Sequence, residues 1–436
     1  MIDAIKEVEK ILNYDALDIE FALDSFGKVY LLQVRPIAAA DNLDSDLVSQ
    51  KVTEQQVKAC EYWKKLQTPT PQIKGNKAIF GVMPDWNPAE IIGTNPGQLA
   101  VSLYQHLILN EVWAAQRAEY GYKDIRPQPL LRSFAGKPYV DVRASFNSFI
   151  PKEVSEELTE KLINFYLTWL EDHPHLHDKI EFDVVPTCFG PRFNKWESRL
   201  IDQAGCTIEE VKELKVGLLS ITQKALFRTQ ADLIVLSELQ TRHHKIVEND
   251  KLTKPEKIRF LLDNCKQYGT LPFAHLARSG FIAVTLLKEG VEAGWLSVEA
   301  RDGFMETVQT VSHELAEDAW LTSLGKKEWA EFISDYGHLR PGTYDITSSA
   351  YCDNPDVFLK PLVDNALKPK EQTGKAKLWK NEKRSYFSKL RSIGLIATDE
   401  DFELFLIEAI EGREKSKFIF TRTLSAALTL IEEEGS

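Results

Sequence analysis

Cysteine is scarce in this sequence, and its few cysteines are scattered. They are Cys60, Cys188, Cys206, Cys265 and Cys352, and no two of them form a Cys-x-x-Cys pair. An odd number of widely spaced thiols argues against a disulfide framework and favours the reduced thiols of a cytoplasmic protein. Apolar runs of membrane-spanning length are also missing. We therefore expect a cytoplasmic protein that does not cross a membrane.

Basic residues are outnumbered, and glycine-rich phosphate motifs are absent. Lys and Arg total 53 against 65 Asp and Glu, which gives a formal net charge of −12. This excess argues against a general nucleic-acid or anionic-membrane binder, because both ligands attract positive charge. Nucleic acid and membrane are therefore not expected as partners. The excess does not exclude a local basic pocket for phosphate. The sequence holds neither a Walker A nor a Rossmann glycine pattern.

Helical periodicity dominates residues 152 to about 335 of this 436-residue sequence. A strand pattern occurs within 129–146, where Tyr139, Asp141, Arg143 and Ser145 share one face. Together with a hairpin pattern near the N-terminus, this predicts a mainly α fold: a large helical domain, a small N-terminal β-hairpin and a minor α+β portion. Helices are predicted over 2–13, 47–66, 98–120, 152–171, 207–248, 254–266, 273–290, 297–324, 326–336, 385–393, 399–411 and 421–434.

Residues 18–36 have the pattern of a β-hairpin with one apolar and one polar face. A four-residue loop at 25–28 pairs Asp24 with Val29, and alternation then sorts the remaining strand residues. The apolar face pairs Ile19 with Val34, Phe21 with Leu32 and Leu23 with Tyr30, and the polar face pairs Asp18 with Arg35 and Glu20 with Gln33. A slip of one residue mixes the two faces, so the pattern favours this register.

The polar face of this hairpin has the chemistry of a Mg²⁺–nucleotide site. The oxygens of Glu20 and Gln33 are suitable ligands for a hard cation, and the guanidinium of Arg35 can bind phosphate through two donors. The alternative is an ordinary amphipathic hairpin with a solvated polar face, since alternation of this kind is common.

The same stretch resembles the end of the ATP-grasp nucleotide-binding domain in the phosphoenolpyruvate synthase and pyruvate phosphate dikinase family. In that family a Glu on one strand and a Gln-x-Arg-Pro on the next close the ATP site. Glu20, Gln33 and Arg35 occupy those positions here. The resemblance implies ATP and Mg²⁺ as cofactors, with Glu20 and Gln33 as metal ligands and Arg35 as a phosphate contact.

A second resemblance involves residues 336–346, Tyr-Gly-His-Leu-Arg-Pro-Gly-Thr-Tyr-Asp-Ile. They are similar to a Gly-His-Arg-like segment in the helical domain of phosphoenolpyruvate synthase-like proteins and rifampicin phosphotransferases. Members often continue with Asp-x-x-x-Pro-Arg, whereas residues 348–351 here are Ser-Ser-Ala-Tyr, which removes one cation. His338 and Arg340 are predicted to contact phosphate or carboxylate. The equal alternative is that both side chains pin the loop by hydrogen bonds.

Two further segments, 83–90 and 138–143, also resemble the interdomain region of synthase-like proteins. They read Met-Pro-Asp-Trp-Asn-Pro-Ala-Glu and Pro-Tyr-Val-Asp-Val-Arg. We expect Trp86, Asp141 and Arg143 to lie in a substrate cleft. Loop closure and core packing are the alternative roles for these segments.

Two histidine patterns carry less chemical information. His173, His175 and His177 alternate, a spacing that would place three imidazoles on one side of an extended metal-binding segment. A polar loop after a helix is the alternative. Ser312-His313 echoes the phosphocarrier loop of the resembled family, but no glycine precedes it, so His313 is predicted to be a helix residue.

The resemblance implies a three-part chain. Residues 1–40 would be the C-terminal end of an ATP-grasp domain, 41–74 a linker and helix, and 75–436 a mostly helical acceptor domain. The resembled family moves phosphate from ATP to a histidine on a swivelling domain, and then to pyruvate or another acceptor.

The implied function is one portion of an ATP-dependent phosphotransferase. No phosphohistidine loop occurs in the sequence, so no catalytic residue is assigned and catalysis is not expected from this chain alone. Its implied partners are phosphohistidine and nucleotide-binding domains, in cis or in trans, and a small-molecule acceptor such as pyruvate. The alternative is a stand-alone, non-catalytic helical module that binds a ligand or a protein.

Overall fold

Two compact units make up the chain. The computed structural model describes residues 2–12, 17–24, 27–36, 45–368 and 375–435. Contacts divide the chain into Met1–Trp63 and Lys64–Ser436. Helix accounts for 65% of the chain and strand for 7%, so the predicted mainly α fold with a small N-terminal hairpin is confirmed. Residues 25 and 26 of the predicted hairpin loop, and residues 37–44 of the predicted linker, lie outside the described residues.

The smaller unit contains a helix, a hairpin and most of a second helix. Its elements are α1 (Ile2–Leu12), β1 (Leu17–Leu23), β2 (Val29–Pro36) and α2 (Ser45–Gln67), the last of which ends in the larger unit. Both helices were predicted, α1 from its apolar spacing. The open end of the hairpin has the predicted register, because Asp18 pairs with Arg35 and Glu20 with Gln33.

Near its turn the hairpin departs from the predicted register. A β-bulge follows Glu20, so that Phe21 lies opposite Leu31, and Leu23 lies opposite Val29. The predicted pairs Phe21–Leu32, Leu23–Tyr30 and Asp24–Val29 are therefore wrong. Adjacent apolar residues in β2 satisfy the apolar face in either register, and the bulge accommodates the extra residue.

The larger unit combines a small antiparallel sheet with many helices. The sheet consists of β3 (Phe80–Gly81), β4 (Leu131–Phe134) and β5 (Lys137–Asp141), with β5 in the middle. Short π-helical turns occur at Gln105–Leu109, Ile180–Val184 and Cys265–Thr270. The helices are α3 (Pro88–Ile91), α4 (Gln98–Tyr104), α5 (Val112–Tyr120), α6 (Val142–Asn147), α7 (Glu156–Asp172), α8 (Phe193–Asp202), α9 (Ile208–Ala225), α10 (Thr229–Val247), α11 (Lys254–Asn264), α12 (Leu271–Glu292), α13 (Val298–Met305), α14 (Val311–Ser323), α15 (Trp329–Tyr336), α16 (Pro355–Phe358), α17 (Lys360–Asp364), α18 (Ala376–Ser392) and α19 (Asp399–Gly435).

The strand predicted within 129–146 ends earlier than its alternation suggests. β5 stops at Asp141, whose carboxylate accepts a hydrogen bond from the backbone N–H of Ala144 at 3.1 Å and caps α6. Arg143 and Ser145 consequently lie on a helix and do not share a strand face with Asp141. The alternating pattern was misleading here because the capping carboxylate ends the strand.

Several helix boundaries also differ from the predictions. The helix expected over 207–248 is two helices, α9 and α10, and the helix expected over 297–324 is α13 and α14. Conversely, the two helices expected at 399–411 and 421–434 are one continuous helix, α19. No proline interrupts that stretch, and packing against α12 supports its middle.

α12 and α19 pack together through the centre of the larger unit, and both contribute to its two largest hydrophobic clusters. Glycines allow the close approach of these helices. A Cβ at Gly280 of α12 would come within 3.0 Å of the Ala409 carbonyl oxygen, and one at Gly412 of α19 within 3.0 Å of a Leu276 methyl group. Larger side chains at these positions would force the helices apart.

The helical segment Lys254–Glu292 is long and apolar enough to cross a membrane by length and composition. It includes α12, and 72% of its most apolar window is buried inside the larger unit. Such burial is typical of the core helix of a soluble protein.

Candidate functional site

The polar positions of the hairpin are the predicted nucleotide site. Glu20 and Gln33 are exposed and lie opposite each other, and the Asp18–Arg35 pair is two residues further along the ladder. Residues two apart on a strand share a face, so these four positions lie on one side of the hairpin. The bulge places Tyr30 opposite Ala22, on this same side rather than on the apolar face.

A strained turn in the larger unit contains the predicted substrate residue Trp86. Trp86 and Asn87 both have left-handed backbone conformations, with φ of 52° and 35°. These conformations cost free energy in L-residues, and they persist only where surrounding contacts fix them. The Tyr104 hydroxyl donates to the Trp86 carbonyl oxygen at 2.5 Å. The Trp86 ring meets Phe273 edge-on, with centroids 6.0 Å apart.

Tyr104 also joins this turn to the loop at 336–346. Its ring packs edge-on against Tyr344, with centroids 5.0 Å apart. Tyr104 of α4 therefore contacts both segment 83–90 and segment 336–346, which are far apart in the sequence. The fold thus brings together two segments in which the sequence predicted contacts to a substrate.

A buried ion pair holds the turn that contains Trp86 in place. Arg117 of α5 makes two hydrogen bonds to Asp85, with Nη–Oδ distances of 2.8 and 2.9 Å. Ser145 of α6 donates to Asp85 Oδ2 at 2.6 Å, and Arg117 donates to Ser148 Oγ at 2.6 Å. This network fixes Asp85, and with it the backbone immediately before Trp86, against two helices.

Two buried guanidinium groups lie over the Phe149 ring. The Arg117 guanidinium carbon is 3.9 Å from the centre of the Phe149 ring, and that of Arg278 is 5.1 Å from it. Arg278 of α12 pairs in turn with the Glu181 carboxylate, which also accepts a hydrogen bond from Thr187 Oγ1 at 2.7 Å. Each buried cation thus has its own carboxylate, as low-dielectric surroundings require.

Arg143 binds backbone carbonyl groups at the end of α2 and in the loop that precedes the sheet. Its guanidinium donates to the carbonyl oxygens of Leu66 at 2.8 Å and Gly75 at 3.4 Å. Burial lowers the pKa of Arg143. The nearby Asp141 carboxylate contacts Arg132 at 3.3 Å. These contacts hold loop backbone in place, while a substrate role for Arg143 remains a prediction.

His338 and Arg340 are both hydrogen-bonded to α19. Arg340 donates to Ser425 Oγ at 2.9 Å and to Thr429 Oγ1 at 2.8 Å, and it also donates to the Ser348 carbonyl oxygen at 2.6 Å. His338 Nε2 lies 3.2 Å from the Phe418 carbonyl oxygen. Burial lowers the pKa of His338 to about 4. Both side chains therefore pin the loop, and anion contact by either stays a prediction.

The other histidine patterns have local structural explanations. Residues 174–176 form a short helical turn, so His173, His175 and His177 do not belong to an extended strand. The His173 ring stacks on Trp169, with centroids 4.1 Å apart. His313 lies in the first turn of α14, as expected, and its backbone N–H donates to the capping hydroxyl of Thr310. Among the described residues, no cluster of three or more His, Cys, Asp or Glu side chains could hold a metal ion.

A buried histidine that the sequence did not single out joins three helices. His275 of α12 has its Nδ1 at 2.9 Å from Asp232 Oδ1 of α10, and its Nε2 at 3.1 Å from Glu119 Oε2 of α5. Arg228 contacts the same two carboxylates at 2.9 and 3.0 Å. The hydrogen bond from His275 is the main cause that lowers the pKa of Glu119 to about 2. These partners come from distant parts of the sequence, which carries no local signal for the cluster.

A small polar cleft lies along the end of α12. One wall of the cleft is lined by four residues of α12 at helical spacing: Thr285, Lys288, Glu289 and Glu292. The other wall is lined by residues from 181–196. The enclosed volume is ≈ 50 Å³. The sequence analysis did not predict this site. Its only signal in the sequence is a polar stripe at i, i+3, i+4 and i+7 on an otherwise apolar helix.

Two buried side-chain polar atoms without an oxygen or nitrogen partner lie in residues that line this cleft, and others of this kind lie elsewhere in the larger unit. Thr285 is 7% exposed, and its hydroxyl lies beside the Cys188 sulfur without an oxygen or nitrogen partner. The buried Nε of Arg192 likewise has no partner, although the Arg192 backbone N–H donates to Glu289 Oε2 at 2.9 Å. Burial raises the pKa of Glu289, and the neighbouring Glu292 charge adds to this effect.

Comparisons with models of known protein families and with curated proteins find no match for this chain.

Proposed function

We propose that this chain contributes the closing hairpin of a Mg²⁺–ATP site and a helical acceptor domain to a phosphoenolpyruvate synthase-like, ATP-dependent phosphotransferase. One observation carries the proposal: Glu20 pairs with Gln33 directly beside the Asp18–Arg35 pair. A carboxylate, an amide and a guanidinium at these positions provide oxygen ligands for Mg²⁺ and two parallel donors for phosphate.

The bulge that follows Glu20 supports this assignment. Bulges occur preferentially next to active sites, where they redirect side chains. Here the bulge leaves the pairing of Glu20 with Gln33 intact and changes only the pairs nearer the turn. The polar end of the hairpin therefore keeps a regular ladder, which would hold the proposed metal ligands at fixed spacing.

The strained turn at Trp86 supports an acceptor role for the larger unit. Backbone strain is concentrated at ligand clamps and active sites, and the turn is held by the Asp85–Arg117 pair and by Tyr104. Trp86 is therefore the best supported of the proposed acceptor contacts. Arg143, His338 and Arg340 are the other proposed contacts, and a small acceptor such as pyruvate is the proposed substrate.

We propose that partner domains supply the parts of the reaction that this chain lacks. Phosphate would pass from ATP to a histidine of a phosphohistidine domain and from there to the acceptor, with the remaining nucleotide-binding residues supplied in cis or in trans. The free state of the described cysteines, Cys60, Cys188, Cys206, Cys265 and Cys352, is compatible with the cytoplasm as the proposed location.

The test is transfer of radiolabelled phosphate from ATP to a phosphohistidine domain. The chain would be combined with separately produced nucleotide-binding and phosphohistidine domains of a synthase, with Mg²⁺ present. We expect labelling that depends on this chain and is abolished by Glu20→Gln, which removes the charge and keeps the size of the side chain. Glu61→Gln, an exposed carboxylate on α2 in the same unit, is the matched control and should leave labelling unchanged.

Equal labelling with and without Glu20→Gln would refute the assignment of the hairpin. Absence of chain-dependent labelling under all conditions would favour the stand-alone binding module instead. The mass of the native polypeptide in its source cell separates the two arrangements of partners. A mass well above 49.6 kDa would indicate domains in cis, and a matching mass would indicate domains in trans.

A further inference from the structure

We propose that Thr270 is a positioning residue, which joins two π-helical turns and thereby keeps the turn at Trp86 in its observed conformation. The first π-helical turn, Gln105–Leu109, follows α4, and the second, Cys265–Thr270, connects α11 to α12. Loss of the Thr270 contact and release of the Trp86 turn form one coupled transition. This coupling stands without the proposed function, whereas its meaning for an acceptor rests on that function.

A buried hydrogen bond joins the two π-helical turns. The Thr270 hydroxyl donates to the Leu107 carbonyl oxygen at 2.6 Å, and it also lies 3.3 Å from the Lys266 carbonyl oxygen. Thr270 and Leu107 are both 0% exposed. The last carbonyl groups of a helical segment have no partner within it, and a buried carbonyl cannot bond to bulk water. The Thr270 hydroxyl therefore pairs an acceptor at the end of the first π-helical turn.

The first π-helical turn is a discrete state of the backbone. The Asn110 N–H donates to the Gln105 carbonyl oxygen, five residues earlier, at 2.9 Å. An α-helix closes this bond over four residues, so the π-helical turn holds one extra residue. Its conversion to α-helix would rotate the helix on one side by about 100°, the angle of one residue. Neighbouring contacts must therefore stabilise the π-helical form.

That rotation would fall on α4, because α5 is anchored. Arg117 of α5 forms the buried ion pair with Asp85, and Trp113 of the same helix is 0% exposed. Tyr104 is the last residue of α4 and directly precedes the first π-helical turn. A change in this turn would therefore displace Tyr104.

Tyr104 connects the first π-helical turn to Trp86. Its hydroxyl donates to the Trp86 carbonyl oxygen at 2.5 Å, and the backbones of Trp86 and Asn87 are left-handed. Left-handed conformations of such residues persist only where surrounding contacts fix them. Phe273 of α12, three residues after Thr270, meets the Trp86 ring edge-on at 6.0 Å. Residues next to the two π-helical turns thus hold the Trp86 turn on two sides.

The donor of the joining hydrogen bond has a fixed position. α12 begins directly after Thr270, and it is held by the Arg278–Glu181 pair and by packing against α19. A Cβ at Gly269 would lie only 2.8 Å from the Phe420 Cβ, so the second π-helical turn also packs tightly against α19. The first π-helical turn is therefore the part that changes when the bond is lost.

The experiment is hydrogen–deuterium exchange of the full chain, measured on peptides by mass spectrometry. Thr270→Val removes the hydroxyl and keeps the size of the side chain. We expect amide exchange in both 104–110 and 83–90 to become roughly five- to a hundredfold faster, the range that corresponds to leaving one buried acceptor unpaired. Thr270→Ser keeps the hydroxyl, so both segments should exchange as in the unmodified chain.

Two further variants separate coupling from a general loss of stability. Tyr104→Phe removes only the hydroxyl that contacts Trp86, so exchange should rise in 83–90 and stay unchanged in 104–110. Thr222→Val is the matched control, because Thr222 of α9 is also 0% exposed and its hydroxyl also joins two segments, through the backbone of Phe189. This control should leave exchange in 83–90 unchanged.

Three results would overturn the proposal: faster exchange in 104–110 without a change in 83–90, an equal rise in every segment including α7, or exchange in Thr270→Ser as fast as in Thr270→Val. If Thr270→Val does not fold, Thr270→Ala removes the same hydroxyl and is interpreted in the same way. Absence of chain-dependent phosphotransfer would reject the proposed function and leave the coupling standing. Unchanged exchange in 83–90 would reject the coupling and leave the proposed function standing.

Discussion

His275 joins three helices of the larger unit that come from separate parts of the sequence. Its two ring nitrogens contact carboxylates from α10 and α5, and Arg228 bridges the same carboxylates. The residue itself is only 2% exposed. Asp232 is buried with it, with a side chain 7% exposed, so a single substitution at His275 affects three helices at once.

We predict that His275→Gln lowers the free energy of unfolding by about 2–4 kcal/mol, because the buried Asp232 carboxylate loses its imidazole partner. Urea unfolding followed by circular dichroism measures this change. His244→Gln, at an exposed position on α10, is the control and should change stability by less than about 0.5 kcal/mol. An equal effect in both variants would contradict the role given to His275.

At the scale of elements, the turn at 83–88 depends on a contact that no local pattern reveals. Asp85 and Arg117 form a buried ion pair with side chains 6% and 1% exposed. We predict that Asp85→Asn destabilises the chain by about 3–5 kcal/mol, because the Arg117 guanidinium is left without its charge partner. Chemical denaturation measures the loss.

The matched control for this ion pair is Asp124→Asn. Asp124 pairs with Arg126 at 2.5 Å, but both side chains are well exposed, 46% and 40%. We expect a loss of at most about 1 kcal/mol there. Protease digestion of Asp85→Asn should also show earlier cleavage near Trp86, and protection equal to that of the unmodified chain would argue against anchoring by Asp85.

The loop at 336–346 should respond to acid. Burial lowers the pKa of His338 and of His243 to about 4 from an ordinary 6.5. As the pH falls from 6.5 towards 4, the unfolded chain therefore takes up protons before the folded chain does, and stability decreases. We predict that His338→Gln reduces this loss, measured as melting temperature against pH. A slope identical to that of the unmodified chain would contradict the prediction.

Helices and the polar end of the hairpin were predictable because each has a local signal. Apolar spacing located α1, α7 and α12, and alternation fixed the Glu20–Gln33 pair. The bulge was not predictable because Leu31 and Leu32 are interchangeable on an apolar face. The strand end at Asp141 was missed because a capping carboxylate and a strand residue look alike in an alternating sequence.

The site residues likewise divide into those with a signal in the sequence and those without one. Trp86 was named from resemblance, and His338 and Arg340 from resemblance and from their place in a Gly- and Pro-rich loop. The structure locates Trp86 in a strained turn and the other two in a pinned loop. The Asp85–Arg117 pair, the His275 cluster and the cleft at Thr285 arise from tertiary contacts between distant segments. Such contacts leave no periodic trace in one sequence, so only a structure reveals them.

At the scale of the whole molecule, the core belongs to the larger unit. Among the residues whose burial is described, every buried apolar side chain lies between Ile73 and Leu428. We predict that a chain beginning at Ser45, which keeps α2 whole, melts within about 2 °C of the full chain. We expect the loss of residues 1–44 to change the free energy of unfolding by well below about 1 kcal/mol, and such a change moves the melting temperature of a large domain by no more than about 2 °C. Scanning calorimetry is the measurement. A much lower midpoint would show that residues 1–44 stabilise the larger unit.

The stack of Arg117, Phe149 and Arg278 has a spectroscopic consequence. A guanidinium 3.9 Å from the centre of an aromatic ring lies in the shielding cone of its ring current. The side-chain protons of Arg117 should therefore resonate upfield of ordinary arginine signals, and their exchange with solvent should be slow because the group is buried. Magnetic resonance thus offers a label-free reporter of the core, and its signal would return to the ordinary position once the ring and the guanidinium separate.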